Sequence, residues 1–289
     1  MLESPVRRKI LGVIPARYTS SRFPGKPLAQ IGNKSMLEHV YDRASQARYL
    51  TSILVATDDE RIAAAARAFG APVRMTRADH ASGTDRVAEA ASADTADVIV
   101  NIQGDEPLID PAAIDAAILP LLHDDELLMA TLKKRIEDPR ETGDPNVVKV
   151  VTDRNDNAIY FSRSTIPYVR GVDSGAAKIA HFKHIGLYVY RRDFLLGYSD
   201  LPVGPLEQAE RLEQLRALEN GYPIRVVETE YESLGVDTPE DLERVSKLFK
   251  AFSGSLPHGR GSETLNPVSL SRARQQAVPR ETLWLNTYL

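Results

Sequence analysis

An α/β fold on a mostly parallel, doubly wound sheet is what this sequence predicts, and three observations predict it. Short aliphatic, β-branched runs alternate with amphipathic helical periods through about the first 125 residues, the pattern of successive βαβ units. The polar motifs follow the ends of those runs, where ligands bind in open α/β sheets. The chain has 289 residues, 43% of them hydrophobic, enough for one large core or for a core with a smaller appended lobe.

The elements follow in order. Residues 10–14 (ILGVI) form a buried first strand. Ser35 and Glu38 have the spacing of a capping box, and Met36, Leu37, Val40, Tyr41 and Ala44 share one face of the helix that they open. Residues 53–57 form a second strand. Asp58 or Asp59 caps a helix with Ile62, Ala65, Ala66 and Phe69 on one face, and Gly70 ends it. Residues 98–102 form a third strand, and Asp110-Pro111 opens a helix with proline at a tolerated first-turn position. Beyond residue 127 the strands are closely spaced, over 128–132, 147–151, 158–161 and 185–190, with a helix over 206–218. This predicts a more antiparallel insertion. A strand over 224–228 returns to the first sheet, and Thr238-Pro239-Glu240-Asp241 opens a last helix to about Phe252. Residues 253–289, rich at first in Gly, Ser and Pro, are expected to be a disordered tail, and they carry the single tryptophan, Trp284.

Composition excludes several function classes. A net charge of −4 gives no electrostatic footprint for nucleic acid or an anionic membrane. There is no cysteine, so disulfides, thiolate catalysis and cysteine-zinc sites are absent. No histidine pair has the HxxxH spacing of a zinc site. No apolar run approaches the roughly 18 residues of a membrane span, and the short apolar run after Lys9 leads straight into a polar motif. A cytoplasmic location is therefore expected.

Four motifs carry the chemistry. The stretch after the first strand, PARYTSSRFPGKPL, packs Arg17, Arg22, Lys26, Gly25 and small hydroxyl residues into one loop. Phosphate oxygens need such a set of backbone N–H groups and cations, although a solvated basic loop has the same composition. It is neither a Walker A loop nor GxGxxG. After the third strand, NIQGDEP places Asp105 where a carboxylate can hold Mg²⁺ together with substrate phosphates; an acidic solvated turn is the alternative. In LGVDTPED, Asp237 is either a helix-capping residue or a second carboxylate facing Asp105 across one metal. In MTRADHASGTDR, Thr76, Ser82 and the backbone near Gly83 can supply the donors and acceptors that a pyrimidine edge requires, but spacing alone favours ordinary capping by Ser82 or Thr84.

Taken together, the stretches IPARYTSSRFPGKPL, VATDDERI, MTRADHASGTDR, VNIQGDEP, NVVKVV, YFSRSTIP, KHIGLYVYR, PLEQAERLEQLR and GVDTPEDLERV, in that order over about residues 9–250, resemble the 3-deoxy-manno-octulosonate cytidylyltransferase (CMP-Kdo synthetase) family. The resemblance implies a three-layer, nucleotide-diphospho-sugar transferase-like fold. Its single domain would span residues 1–252, with a nucleotide-binding part at about 9–125 and 222–252 and a sugar-binding and dimerisation lobe at about 126–221. It also implies transfer of CMP from CTP to the sugar acid, with release of pyrophosphate, for lipopolysaccharide biosynthesis. Arg17, Lys26, Asp105 and Asp237 would be catalytic. Arg17, Arg22 and Lys26 would contact the triphosphate, Thr76, His80, Ser82, Gly83 and Gln103 the cytidine, and Asp105 and Asp237 the Mg²⁺ cofactor. Arg163, His184, Tyr188, Glu213 and Gln214 would surround the sugar acid, and the chain would form a homodimer. Residues 253–289 lie beyond the resemblance, and the loop over 31–35 departs slightly from its pattern. The alternatives left open are an amino-substituted or sialic-acid-like acceptor, a UTP- or dTTP-dependent transferase, and a non-catalytic nucleotide sensor.

Overall fold

A computed structural model describes residues 8–20, 22–170 and 179–254. The expected tail over 253–289, Trp284 included, lies outside the described residues from 255 onward.

Strand β1 (Ile10–Ala16) lies in the interior of the main sheet. Two two-residue strands, β2 (Gln30–Ile31) and β3 (Lys34–Ser35), pair antiparallel beside helix α1 (Met36–Ala44). There follow β4 (Ser52–Thr57), α2 (Glu60–Ala68), β5 (Val73–Met75), α3 (Gly83–Ser92), β6 (Val98–Asn101) and α4 (Pro111–His123). Next come β7 (Met129–Arg135), α5 (Pro139–Gly143), β8 (Lys149–Thr152), β9 (Ala158–Ser162), β10 (Phe182–Arg191) and α6 (Arg192–Leu196). Helices α7 (Pro205–Glu210) and α8 (Leu215–Glu219), strand β11 (Ile224–Glu228) and helix α9 (Pro239–Gly254) follow, the last elements among the described residues.

The sheet order is β11-β7-β10-β6-β1-β4-β5. β1 pairs parallel with β4 and β6, β4 with β5, and β7 with β11; β10 runs antiparallel to both neighbours. β8 branches from β10 and pairs antiparallel with β9, which is the antiparallel extension that the crowded strands predict. Because β1, β4 and β6 are parallel, their carboxyl ends open on one side, and the loops after all three meet there.

β1 shows how the layers form. Ile10 and Ile14 pack on one face with Leu37 and Val40 of α1, Ile62 of α2 and Ile118 of α4. Leu11 and Val13 pack on the other with Val87 of α3, Leu195 of α6 and Leu215 of α8. Alternate side chains of a strand point to opposite faces, and both faces are apolar, so helices cover both and three layers result.

Local signals are realised with two revisions, and with a choice between the two caps expected for α2. Ser35 accepts from the Glu38 N–H at 3.2 Å, but the Glu38 carboxylate pairs with Lys34, so the box is half-formed. Asp59, not Asp58, caps α2. The single helix expected over 206–218 is two short helices, because Arg211 takes φ 52°, in the left-handed region that an L-residue visits only locally. The Thr238–Asp241 box does form: Asp241 N–H donates to the Thr238 hydroxyl at 3.2 Å, and Thr238 N–H to the Asp241 carboxylate at 3.1 Å.

Candidate active site

A cleft of about 300 Å³ lies beyond the carboxyl ends of β1 and β6. The loop after β1 supplies Arg17, Arg22 and Lys26, the start of α3 supplies His80, Ser82 and Gly83, and the turn after β6 supplies Gln103 and Asp105. Asp237, just before α9, closes the remaining side. Of the residues expected around the nucleotide, all but Thr76 line this cleft.

Backbone geometry fixes the β1 loop. Gly25 takes φ 72°, donates its N–H to the Tyr18 carbonyl at 2.9 Å, and opens the 3₁₀ turn that begins with Lys26. A Cβ there would touch the Tyr18 ring at 3.1 Å, and Arg61 stacks on that ring with its guanidinium carbon 3.3 Å from the centroid. Gly104 is needed for a close approach: a Cβ on it would lie 2.8 Å from the Pro15 carbonyl oxygen of β1.

The two acids meet. Lys26 Nζ donates to Asp105 Oδ2 at 2.7 Å and reaches Asp237 Oδ1 at 3.3 Å, while Arg22 Nη1 lies 3.3 Å from Asp237 Oδ2. Thr238 and Asp241 make the cap of α9, so the carboxylate of Asp237 is free of that task and faces the cleft cations.

For Ser82, capping and a place in the cleft are compatible. Ser82 forms a full capping box with Asp85 at the start of α3, and it lines the cleft. Thr76 stands behind the cleft, 9% exposed, where its hydroxyl accepts from Arg86 Nη1. Arg86, itself 4% exposed, lines the cleft and pairs with Asp58 at 3.2 Å. Arg86 has no role in the sequence reading. The available signal is its helical spacing from Ser82, four residues on along the same face. Gln103 Nε2 donates to the Gly186 carbonyl of β10 at 2.9 Å, tying the cleft to the antiparallel strand.

Glu106, next to Asp105, is also missed by the sequence reading. It is 6% exposed and accepts from the Tyr231 hydroxyl at 2.7 Å and the Ser233 hydroxyl at 2.6 Å. Burial pushes its carboxyl up to about 7, the two hydroxyl donors pull it down, and the Asp105 charge adds to the rise.

None of the five residues expected around the sugar acid lines the cleft, and His184 and Tyr188 lie together on β10. His184 meets Phe161 edge-on at 5.1 Å and Tyr188 at 5.3 Å, and its Nε2 lies 3.0 Å from the Thr131 hydroxyl. Loss of water lowers His184 to about 3, so it is neutral. Burial likewise raises the hydroxyl of Tyr188 well above its ordinary range and raises the carboxyl of Glu213, against the pull of the Thr84 hydroxyl. Gln214 is 5% exposed, and its Nε2 has no hydrogen-bond partner among the described residues. Arg163 spends its fork on main-chain carbonyls, donating to Glu210 at 2.8 Å, Pro145 at 3.0 Å and Arg211 at 3.5 Å. This holds it beside the turn that leads to Glu213 and Gln214.

A wider depression of about 650 Å³ lies at the opposite end of β1, around Arg8, Asp97, Asp125 and Arg191. Arg8 and Arg191 both pair with Asp125 there, and none of the four motifs reaches it. Among the described residues no helix is long and apolar enough to cross a membrane.

Comparison with known proteins agrees with this geometry. The family model described as cytidylyltransferase matches residues 11–230. The chain is 73% identical over 255 residues to a 3-deoxy-manno-octulosonate cytidylyltransferase of Solibacter usitatus, covering 88% of this chain and 99% of that protein. It is 59% identical over 241 residues to the protein of the same name from Syntrophotalea carbinolica, covering 82% and 96%. A solved structure of CMP:2-keto-3-deoxy-manno-octonic acid synthetase complexed with CTP superposes with a TM-score of 0.80 at 46% identity, covering 84% of this chain and 99% of that one. The chain belongs to the cytidylyltransferase family and, within it, to the 3-deoxy-manno-octulosonate cytidylyltransferases.

Proposed function

We propose that this chain transfers CMP from CTP to the anomeric hydroxyl of 3-deoxy-manno-octulosonate, giving CMP-Kdo and pyrophosphate for lipopolysaccharide assembly. The observation that carries the reading is the convergence of Asp105 and Asp237 on one ammonium beside Arg17 and Arg22, at the carboxyl ends of β1 and β6. The anomeric oxygen forms a bond to the α-phosphorus, the bond from that phosphorus to the bridging oxygen of the β-phosphate breaks, and the hydroxyl proton passes to solvent water. The charge of the leaving pyrophosphate is met by Arg17, Arg22 and Lys26, so catalysis is chiefly positioning and electrostatic stabilisation. Thr76 contributes at one remove, by holding Arg86 against the nucleotide side of the cleft.

The donor set suits Mg²⁺. Two carboxylates already share one cation, the Lys26 ammonium, and this metal favours one or two protein carboxylates plus substrate phosphates. When bound, it supplies polarisation of the phosphate and a lower pKa for the attacking hydroxyl. The free Nε2 of Gln214 supports a polyhydroxylated acceptor, since a buried unpaired donor calls for a partner. Residues 9–125 and 222–252 are assigned to the nucleotide, and 126–221 to the sugar acid and to a homodimer contact. Exposed Ile159, on the outer strand β9, favours such a contact. A cytoplasmic location accords with the absence of cysteine.

The test is CTP-dependent pyrophosphate release against a panel of sugar acids. Turnover with 3-deoxy-manno-octulosonate is expected to exceed that with amino-substituted or sialic-acid-like acceptors. No release with any acid would sink the enzymatic reading.

A further inference from the structure

Residues 229–237 join β11 to α9 and belong to no helix or strand, yet they deliver Asp237 to the cleft. Such a segment has no ladder of its own, so bonds to the rest of the protein set its course. Thr229 N–H donates to the Lys133 carbonyl at 2.9 Å, Lys134 Nζ to the Glu230 carbonyl at 2.7 Å, and Val236 N–H to the Asp105 carbonyl at 2.9 Å. Between these ties sits Glu106. Its two carboxylate oxygens are divided between the Tyr231 and Ser233 hydroxyls, at 2.7 and 2.6 Å. A buried carboxylate is tolerated only when hydrogen-bonded, and here both bonds go to the strand-less segment that carries the second acid. Glu106 is not in the lining of the cleft and is directly bonded to Asp105 in the chain.

We propose that Glu106 is a positioning residue: by fastening Tyr231 and Ser233 next to Asp105, it sets the separation of the two carboxylates that hold the divalent cation. This deepens the reading of Asp105 and Asp237 given above and rests on it. A merely structural Glu106 would lower stability and leave metal use unchanged; a positioning Glu106 moves metal use specifically.

The test uses the full chain and Mn²⁺ as a spectroscopic probe. Mn²⁺ binding in the presence of CTP is titrated by electron spin resonance, and steady-state kinetics are measured beside it, for Ser233→Ala, Tyr231→Phe and Glu106→Gln. In variants that keep the wild-type circular dichroism, half-saturating Mn²⁺ is expected to rise about tenfold, the range seen for partners that orient metal ligands. kcat is expected to fall in step, with KM for the sugar acid changed less than about twofold. Glu106→Gln, which can still bond both hydroxyls, is expected to lose less than Tyr231→Phe. Ser233→Ala removes one partly buried hydroxyl and keeps the test open if the others do not fold. Wild-type Mn²⁺ titrations in folded Ser233→Ala and Tyr231→Phe, with only a lower melting temperature, would overturn the proposal. A wild-type chain that binds no Mn²⁺ with CTP would instead refute the metal reading itself.

Discussion

The Nζ of Lys26 lies 2.7 Å from Oδ2 of Asp105. Because the same ammonium reaches Asp237 at 3.3 Å, one side chain holds together two acids that would otherwise repel. Its removal should act in two directions. Lys26→Met is expected to raise KM for CTP about tenfold or more, the worth of one charge-assisted bond to phosphate. It is also expected to tighten Mn²⁺ binding to the nucleotide-free enzyme, since a competing cation is gone. Nucleotide-free Mn²⁺ titrations no tighter than wild type would refute that competition.

Asp105→Ala should abolish turnover with little effect on the fold. Pyrophosphate release is expected to fall more than about 100-fold, while the melting temperature moves by about 2 °C or less, as for other partly exposed positions. Thermal melts and the release assay on the same preparation separate the two effects.

Ser82 has a double duty that a single substitution should reveal. Ser82→Ala removes the cap of α3, at a cost of about 1 kcal/mol. Because Ser82 also lines the cleft, KM for CTP should rise as stability falls. Denaturant melts that shift with unchanged CTP kinetics would confine it to capping.

Gly104→Ala tests the close approach of the β6 turn to β1. The new Cβ would meet the Pro15 oxygen at 2.8 Å, against backbone that cannot rotate away. An overpacking cost of about 1–3 kcal/mol is expected, with CTP affinity falling because Gln103 and Asp105 flank the strained residue. Chemical denaturation and CTP titration measure both.

His184 should leave a mark on acid stability. Its folded-state pKa is lowered to about 3 by loss of water, below the ordinary 6.5, so between pH 6.5 and about 3 the unfolded chain binds the extra proton. Stability from this group is therefore present above pH 6.5 and lost as pH falls. Between pH 6.5 and 5 the loss is about 1.6 kcal/mol at most. His184→Asn should show a shallower decline over that range in pH-dependent melts. An equal slope in both proteins would remove His184 from the account.

The main strands were legible because their apolar runs are continuous, and the polar residues that end them, from Arg17 to Asp105, could be placed on one side of the sheet before any coordinates. Ser82 shows that a capping signal does not take a residue out of the cleft, since it caps α3 and lines the cleft as well. Arg211 marks a limit: residues 206–218 contain neither Gly nor Pro to announce a break, and only the backbone reveals the left-handed turn that splits the helix. Glu106 marks another, because Tyr231 and Ser233 lie 125 and 127 residues away and local spacing carries no trace of them. β5 and the β2–β3 pair escaped notice since two or three residues give no period.

Strand β10 is hydrogen-bonded to β6 on one side and β7 on the other, its Gly186 carbonyl holds Gln103, and it carries His184 and Tyr188. Gln103 of the cleft and these two rings are thus held on a single slab, with no seam along which they could slide without tearing the ladder between Tyr188 and Asn101. A shift of β10 along its neighbours would therefore drag one wall of the cleft with it, and a lobe swapped in from elsewhere must keep this strand in register.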